Sequence, residues 1–441
     1  MDDEFYETCD RFYRNLLVQH ILQHTRRYAE KSGCQQGSQQ RIIGTPPKNR
    51  RTTWQTFLDS LSALCDHDKG GETTTAIAVE CNPQVQDNVT FWIRVNQLKR
   101  NSLIATHAKD HLVYLLQKLV GTTRHVESAE PIMLELFHTS VDKAKNRVNN
   151  YRKKLQGLIT DMEQCEKKKS SEEKLVLKVL RQLINENKNV RGLCRQASIF
   201  RTTEEATLLV AQARSDSAGL WKYICHFVGR LGAWYKAAQF VSRHAAAFTD
   251  VLSSPSVQIV PYEEPYRSFS PPEVWKLDTL LSRTITPVLH LSEERMDQLF
   301  GSGAFTAGSE QLKKCHDKGW RLKEHAEATM ARFFYQSNKH FLYRQRYIGC
   351  SKPSCVCCEL YIELLPGSFE RRPCHGNAWT QWRIPSLSSV ICDEDILLVQ
   401  RMTDKLQRDN ELDIISASKG HVFTHDSSTN MSSVFARLRL W

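Results

Sequence analysis

The sequence predicts an α/β protein, and three observations carry that prediction. Residues 134–196 contain almost no Gly or Pro and interleave Lys, Arg and Glu with spaced Leu, Ile and Val, the pattern of amphipathic helices. The runs "TTTAIAVE" (73–80), "NVTFWIRV" (88–95) and "SVQIVPY" (256–262) have the β-branched and aromatic content of strands. From 323 to 364 the chain reads as a helix, a strand-like "RYIGCS" (346–351) and a second helix.

Composition narrows the class further. A chain of 441 residues with 41% hydrophobic content can fill two or three cores. Its first residues, "MDDEFYETCD", are acidic where a secretory signal would be basic, and no apolar stretch approaches a membrane span. An intracellular protein, cytoplasmic or nuclear, with no membrane partner is expected. Fourteen cysteines, mostly scattered singly, do not form the dense framework of a secreted disulfide scaffold, so free thiols or metal ligands are expected. A net charge of +11 permits nucleic-acid binding but is also ordinary for soluble proteins.

Taken in order, residues 30–54 are Gln-, Gly- and Pro-rich with a basic end and read as a flexible linker, in which "PPKNRR" could serve nuclear import. The runs at 73–80 and 88–95 read as a strand pair. Two long amphipathic helices follow, separated near Ser170 and Ser171. After about residue 216 "AGLWKYICHFVGRLGAWYKAAQFVSRHAAAF" is dense in aromatic and small residues, as a core helix pair would be. "EEPYRSFSPPEVW" (263–275) breaks the chain with three prolines, and "TPVLHL" (286–291) competes with "SVQIVPY" for a first sheet strand. The organisation expected is a mainly helical region over 1–215, a zinc domain over 216–395 and a tail over 396–441.

The chemistry concentrates in two short stretches. "KEHAEATMARFFYQ" (323–336) is a run of good helix formers that opens on His325-Ala326-Glu327, an H-x-E. Alone it means little, since His125-Val126-Glu127 has the same form. Only the first is followed by Cys355-Val356-Cys357-Cys358, with room between for a helix, a turn and a strand. Cys355 and Cys358 share one face of a helical first turn; Cys357 faces the core and Cys350 lies on the strand. Helix N-termini favour thiolates. Residues two apart on a helix point about 200° apart, but first-turn side chains tilt toward the helix start and can converge on an axial point. An ion held by two helix starts would take one imidazole and two thiolates, leaving its fourth position to water, as in catalytic zinc, with Glu327 as proton carrier.

"HAE" followed by "PSCVCC" resembles the zinc-dependent cytidine-deaminase-like superfamily, whose signature is H-x-E then P-C-x-x-C. The longer string "YIGCSKPSCVCCELYI…PCHGNAWTQWRIP" resembles a largely fungal branch of nucleic-acid and nucleotide deaminases, over roughly residues 216–390. Here Ser354 separates Pro353 from Cys355, where the general signature puts proline directly before cysteine. The resemblance implies a three-layer α/β/α domain with a mixed sheet, Zn2+ on His325, Cys355 and Cys358, and hydrolytic deamination of a nucleobase with Glu327 shuttling the proton.

"RPCHGNAWTQWRIP" (372–385) reads either as a pocket wall, with Trp379 stacking on a base and His375 touching substrate, or as a loop anchored on the sheet by its tryptophans. The substrate expected is a nucleobase, with a base in single-stranded RNA or DNA preferred for the basic "KNRVNNYRKKLQ" and "EKKKSSEEK". The alternative is a structural zinc module closed by a fourth protein ligand, Cys350, Cys357 or Cys374.

Overall fold

The structure is a computed structural model that describes residues 2–31, 52–68, 71–81, 89–96, 103–124, 129–165, 169–215, 219–262, 275–319, 322–385 and 392–418. In chain order its helices are α1 (Asp2–Lys31), α2 (Thr53–Cys65), α3 (Leu103–Arg124), α4 (Ala129–Lys143), α5 (Lys145–Gln164), α6 (Ser171–Glu186), α7 (Val190–Phe200), α8 (Glu204–Ser215), α9 (Leu220–Leu231), α10 (Ala233–His244), α11 (Thr249–Leu252), α12 (Leu277–Thr284), α13 (Glu293–Phe300), α14 (Ala304–Asp317), α15 (Ala326–Gln336), α16 (Val356–Leu364) and α17 (Asp393–Ser418). The strands are β1 (Thr75–Cys81), β2 (Val89–Val95), β3 (Ser256–Ile259) and β4 (Gly349–Cys350). The import-type "PPKNRR" and the second H-x-E at His125 lie outside the described residues.

The described residues fall into two compact units, each discontinuous in sequence. Unit one draws on 1–48, 262–335 and 353–427, and unit two on 49–261 and 336–352. These units cut across the linear boundaries expected at 215 and 395, because helix packing and strand pairing join segments hundreds of residues apart.

Unit two holds a mixed sheet in the order β3-β2-β1-β4, as an α/β class requires. β1 pairs antiparallel with β2, Ile77 opposite Ile93, and with β4, while β3 lies parallel to β2. The expected strand pair is therefore present, "SVQIVPY" supplies β3 and "RYIGCS" supplies β4. "TPVLHL" forms a 3-10 turn over Pro287–Leu289 instead, in keeping with a proline that can donate nothing to a ladder. Two of the four strands come from 75–95, so the sheet is not contained in 216–395.

Helix α2 covers β1 and β4. It opens on a capping box, with the Gln55 N–H donating to Thr52 Oγ1 at 3.2 Å and the Thr52 N–H donating to Gln55 Oε1 at 3.1 Å. Its buried face carries Trp54, Phe57, Leu58, Leu61 and Leu64 at helical spacing. β4 approaches so closely that a Cβ at Gly349 would lie 2.6 Å from the Leu58 carbonyl carbon, so only glycine fits there. Asp59 fixes the strand by accepting from the Cys350 N–H (3.0 Å) and the Tyr347 hydroxyl (2.8 Å).

The charged stretch expected as two long helices is four, α4 to α7. The break before Ser171 is real: Ser170 and Glu173 form a second capping box. Two further breaks fall at Ala144, whose backbone leaves the helical region, and at Asn187–Asn189, where Asn189 caps α7 through the Gly192 N–H. The core helix pair after 216 is α9 and α10.

Unit one is helical. α1 and α17 run alongside each other, and Leu398, Val399, Met402, Leu406 and Ile414 of α17 are buried at helical spacing. Polar groups fix the register: Gln19 Nε2 donates to Asp413 (3.1 Å), Arg26 pairs with the same carboxylate (2.9 Å), and Asn410 Nδ2 donates to the Asn15 carbonyl (3.0 Å). Residues 393–418, expected within or beside a tail, are thus a packed helix. Among the described residues no helix is long and apolar enough to cross a membrane.

Candidate metal centre

The candidate ligands sit at two helix starts of unit one. His325 directly precedes α15, and its carbonyl accepts the first intrahelical bond from the Thr329 N–H at 3.0 Å. Cys355 is the N-cap of α16, in extended backbone, and its sulfur accepts from the Cys358 N–H at 3.4 Å. A thiol here stands where Ser or Asp would ordinarily cap, so α16 itself stabilises negative charge on sulfur.

His325 Nδ1 lies 3.4 Å from Cys355 Sγ and 3.3 Å from Cys358 Sγ, and the three donor atoms all lie within 4.8 Å of one another. With Zn–N and Zn–S bonds of usual length, a tetrahedral ion needs about 3.5 Å between imidazole nitrogen and sulfur, so the donor set fits zinc in kind and in spacing. Among the described residues no fourth His, Cys, Asp or Glu joins this set. Cys350 belongs to β4 in unit two. Cys357 is fully buried, and Cys374 pairs with Glu359.

The electrostatics follow from crowding thiols in a dry place. Burial would raise the Cys355 thiol, but hydrogen bonds from Cys357, Cys358 and His325 outweigh it and hold Cys355 well below the ordinary thiol range. Burial and the charge then carried by Cys355 push Cys357 and Cys358 up. Trp382 is fully buried, and its indole N–H donates to Cys358 Sγ at 3.3 Å. Donors aimed at both sulfurs are what ligating thiolates require around them.

Glu327 occupies the first turn of α15 and is only 4% exposed. A structural zinc module would leave this position as an exposed first-turn glutamate; here it is enclosed, near enough for its charge to raise the Cys358 thiol. A buried carboxylate beside a three-donor set, and outside that set, is placed to handle a proton.

The loop 372–385 ties the two helix starts together. At one end the Ser354 N–H donates to the Pro373 carbonyl (2.8 Å) and the His375 N–H to the Ser354 carbonyl (2.9 Å), a parallel bridge of Ser354 with Cys374. At the other, the Lys323 N–H donates to the Gln381 carbonyl (2.7 Å) and the Arg383 N–H to the Lys323 carbonyl (2.9 Å). Ser354, the departure from the P-C signature, is therefore the residue that pairs with this loop. Trp382 is an anchor against Phe12 and Tyr361, whereas Trp379 is half exposed with His375 edge-on to it at 6.4 Å. The His375 Nδ1 accepts from the Asn377 N–H at 3.0 Å.

Helix α1 also braces this loop. Gln23 donates to the Gly376 carbonyl (2.7 Å) and accepts from the Ala378 N–H (3.0 Å), His20 Nδ1 meets the Ala378 carbonyl (2.9 Å), and the Tyr13 hydroxyl donates to the Trp382 carbonyl (3.2 Å). The sequence offered no signal for this brace. The Trp382 contact was more accessible, since thiolate ligands need nearby N–H donors.

Residues 324–386 match the model of the OTT_1508-like deaminase family. The match spans His325, Glu327, both candidate cysteines and the loop to Arg383, and well under half of the chain. No curated protein and no solved structure matches. The segment is deaminase-like, and its His, Cys and Cys form a possible metal site.

Proposed function

We propose that the chain is a zinc-dependent hydrolytic deaminase of a nucleobase, with His325, Cys355 and Cys358 holding Zn2+ and Glu327 carrying the proton. The observation that carries this reading is the pairing of a three-donor set, with no fourth protein donor among the described residues, with a buried glutamate at the same helix start. Zinc bound there would supply the Lewis acidity that makes water a nucleophile at neutral pH. Glu327 takes the proton from that water, delivers it to the ring nitrogen, and passes a proton to the departing amine, so that amine plus water becomes carbonyl plus ammonia. The Trp382 indole and the Cys358 N–H donate to the two sulfurs and would support them as thiolates with the metal bound.

The substrate favoured is a base in single-stranded nucleic acid. The half-exposed Trp379 beside His375 is suited to stack on a base, and the net charge of +11 suits a phosphate backbone. Binding to an oligonucleotide should then weaken steeply with added salt, whereas salt-insensitive binding would favour a free nucleotide or nucleoside.

Glu327→Gln separates this enzyme from a zinc module. The variant should keep its zinc and fold while turnover of amine to carbonyl, read by mass spectrometry over nucleosides and oligonucleotides, falls about 10²–10⁴-fold. Equal turnover by wild type and variant would refute the assigned role.

A further inference from the structure

Unit two distributes its charge unevenly among its helices. Residues 143–160, which build most of α5, contain no Asp or Glu, and neither do residues 188–203, which build α7. Acids stand instead on the neighbouring α4, α6 and α8. Burial then decides where the cations go. α5 turns Val148, Leu155, Ile159 and Met162 inward, which leaves Lys145, Asn149 and Lys153 exposed along one face, with Arg152 half-buried beside them. α7 buries Leu193, Cys194, Ala197 and Phe200 and leaves Arg191 and Arg195 exposed one turn apart, with Lys188 exposed just before its start.

The two rows of cations lie side by side, joined at both ends. At one end Arg191 Nε donates to Asp142 Oδ1 at 2.9 Å, and the Asp142 carboxyl is held below its ordinary value by Arg191 first and less by His138 and Lys145. At the other, Arg152 of α5 donates to the carbonyls of Ile184 (2.8 Å) and Lys188 (3.0 Å) ahead of α7. Arg195 lies near His138 of α4, whose imidazole is lowered by burial, then by Arg191 and Arg195, with Asp142 opposing. Among the described residues Lys145, Lys153, Lys188 and Arg195 make no ion pair, so Asp142 offsets Arg191 and the remaining positive charge stays in solvent.

We propose that Lys145, Lys153, Lys188, Arg191 and Arg195 form a docking surface for the phosphate backbone of a nucleic acid. A chain of phosphates accepts a row of ammonium charges and guanidinium forks alike, whereas the centre of a protein interface is depleted in Lys. Such a surface holds a strand by its backbone and reads no sequence. The proposal deepens the nucleic-acid substrate proposed above and rests on it.

The test is fluorescence anisotropy of a labelled single-stranded oligothymidylate with the full chain over a range of salt. Thymine has no exocyclic amine, so binding is read apart from turnover, and intact binding without turnover of amine-bearing oligonucleotides would count against the deaminase reading alone. The combined variant Lys145→Gln, Lys153→Gln, Lys188→Gln, Arg195→Gln should bind at least about a hundredfold more weakly than wild type, with a salt slope shallower by about 0.7 for each cation removed. Arg191 is left in place because it pairs with Asp142. The replaced side chains are exposed and unpaired among the described residues, so circular dichroism and the urea midpoint should not change. A control of equal charge, Lys313→Gln, Lys314→Gln, Lys318→Gln, Arg401→Gln, removes exposed cations of unit one and should bind as wild type does. Equal loss in both variants would reduce the effect to net charge and overturn the proposal. So would no binding by wild type at micromolar concentration. Displacement of the oligonucleotide by polyglutamate as readily as by unlabelled oligothymidylate would also overturn it, and would give the surface to an acidic protein.

Discussion

The cluster at His325, Cys355 and Cys358 and the cluster at Asp66, Arg147 and Lys352 are both buried and polar, yet they meet the cost of burial in opposite ways. In the first, soft donors lie 3.3–3.4 Å apart and can give up protons, so a cation would relieve their mutual repulsion. In the second, groups that keep their protons gather round the buried Asp66 carboxylate, so the counter-charge is supplied by the protein itself.

The largest expected effect breaks the second cluster. Asp66→Asn removes the buried carboxylate that Arg147 and Lys352 share and should cost about 3–5 kcal/mol, read as a lower urea midpoint with the slope unchanged. A loss below 1 kcal/mol would mean that water, not Asp66, satisfies these cations.

Breaking the first cluster should cost less and depend on zinc. At free zinc a hundred times its Kd, binding stabilises the fold by about 2.7 kcal/mol, which Cys355→Ser or Cys358→Ser should forfeit together with the metal. Cys357→Ser should keep its zinc, since that sulfur is outside the three-donor set. Equal metal loss from Cys357→Ser, by elemental analysis, would show that the wrong thiol has been assigned.

Acid sharpens the contrast. The Asp66 carboxyl is held down from 3.8 to about 2: burial opposes this, but Arg147, Lys352 and the Thr73 hydroxyl outweigh it. A depressed folded value means that the stabilisation is complete above the unfolded value and is lost as pH falls through the folded one. About 2 kcal/mol should therefore disappear between about pH 4 and pH 2 in wild type, and be absent from the acid response of Asp66→Asn. Identical acid profiles for the two proteins would remove Asp66 from the account.

The two clusters also differ in how far the sequence reveals them. His325, Cys355 and Cys358 lie within 34 residues, on helix starts that periodicity and capping chemistry locate, so their meeting could be read from spacing. Asp66 and Lys352 are 286 residues apart and meet because β4 pairs with β1 beside α2, a pairing that local pattern does not encode. The strand runs at 73–80 and 88–95 were legible from their residue types, whereas their membership of one sheet with 256–259 and 349–350 was not. The bracing of residues 372–385 by α1 is hidden for the same reason: Gln23 and Gly376 say nothing of each other until the fold joins them.

The smallest expected effect on stability concerns the two tryptophans of the 372–385 loop, and it decides whether that loop serves substrate as well as structure. Trp382 has no exposed surface, packs on Phe12 and Tyr361 and donates to Cys358 Sγ. Trp379 is half exposed, with His375 edge-on to it at 6.4 Å. Removing the Trp379 ring takes away little buried surface, so Trp379→Ala should change the urea midpoint by no more than about 0.5 kcal/mol. If the ring stacks on a base, the same variant should weaken binding of a single-stranded oligonucleotide by about 1–3 kcal/mol, read by fluorescence anisotropy, and leave zinc content unchanged. Unaltered affinity would confine Trp379 to the surface and return the whole loop to the role that Trp382 already has, holding two helix starts around one set of donors.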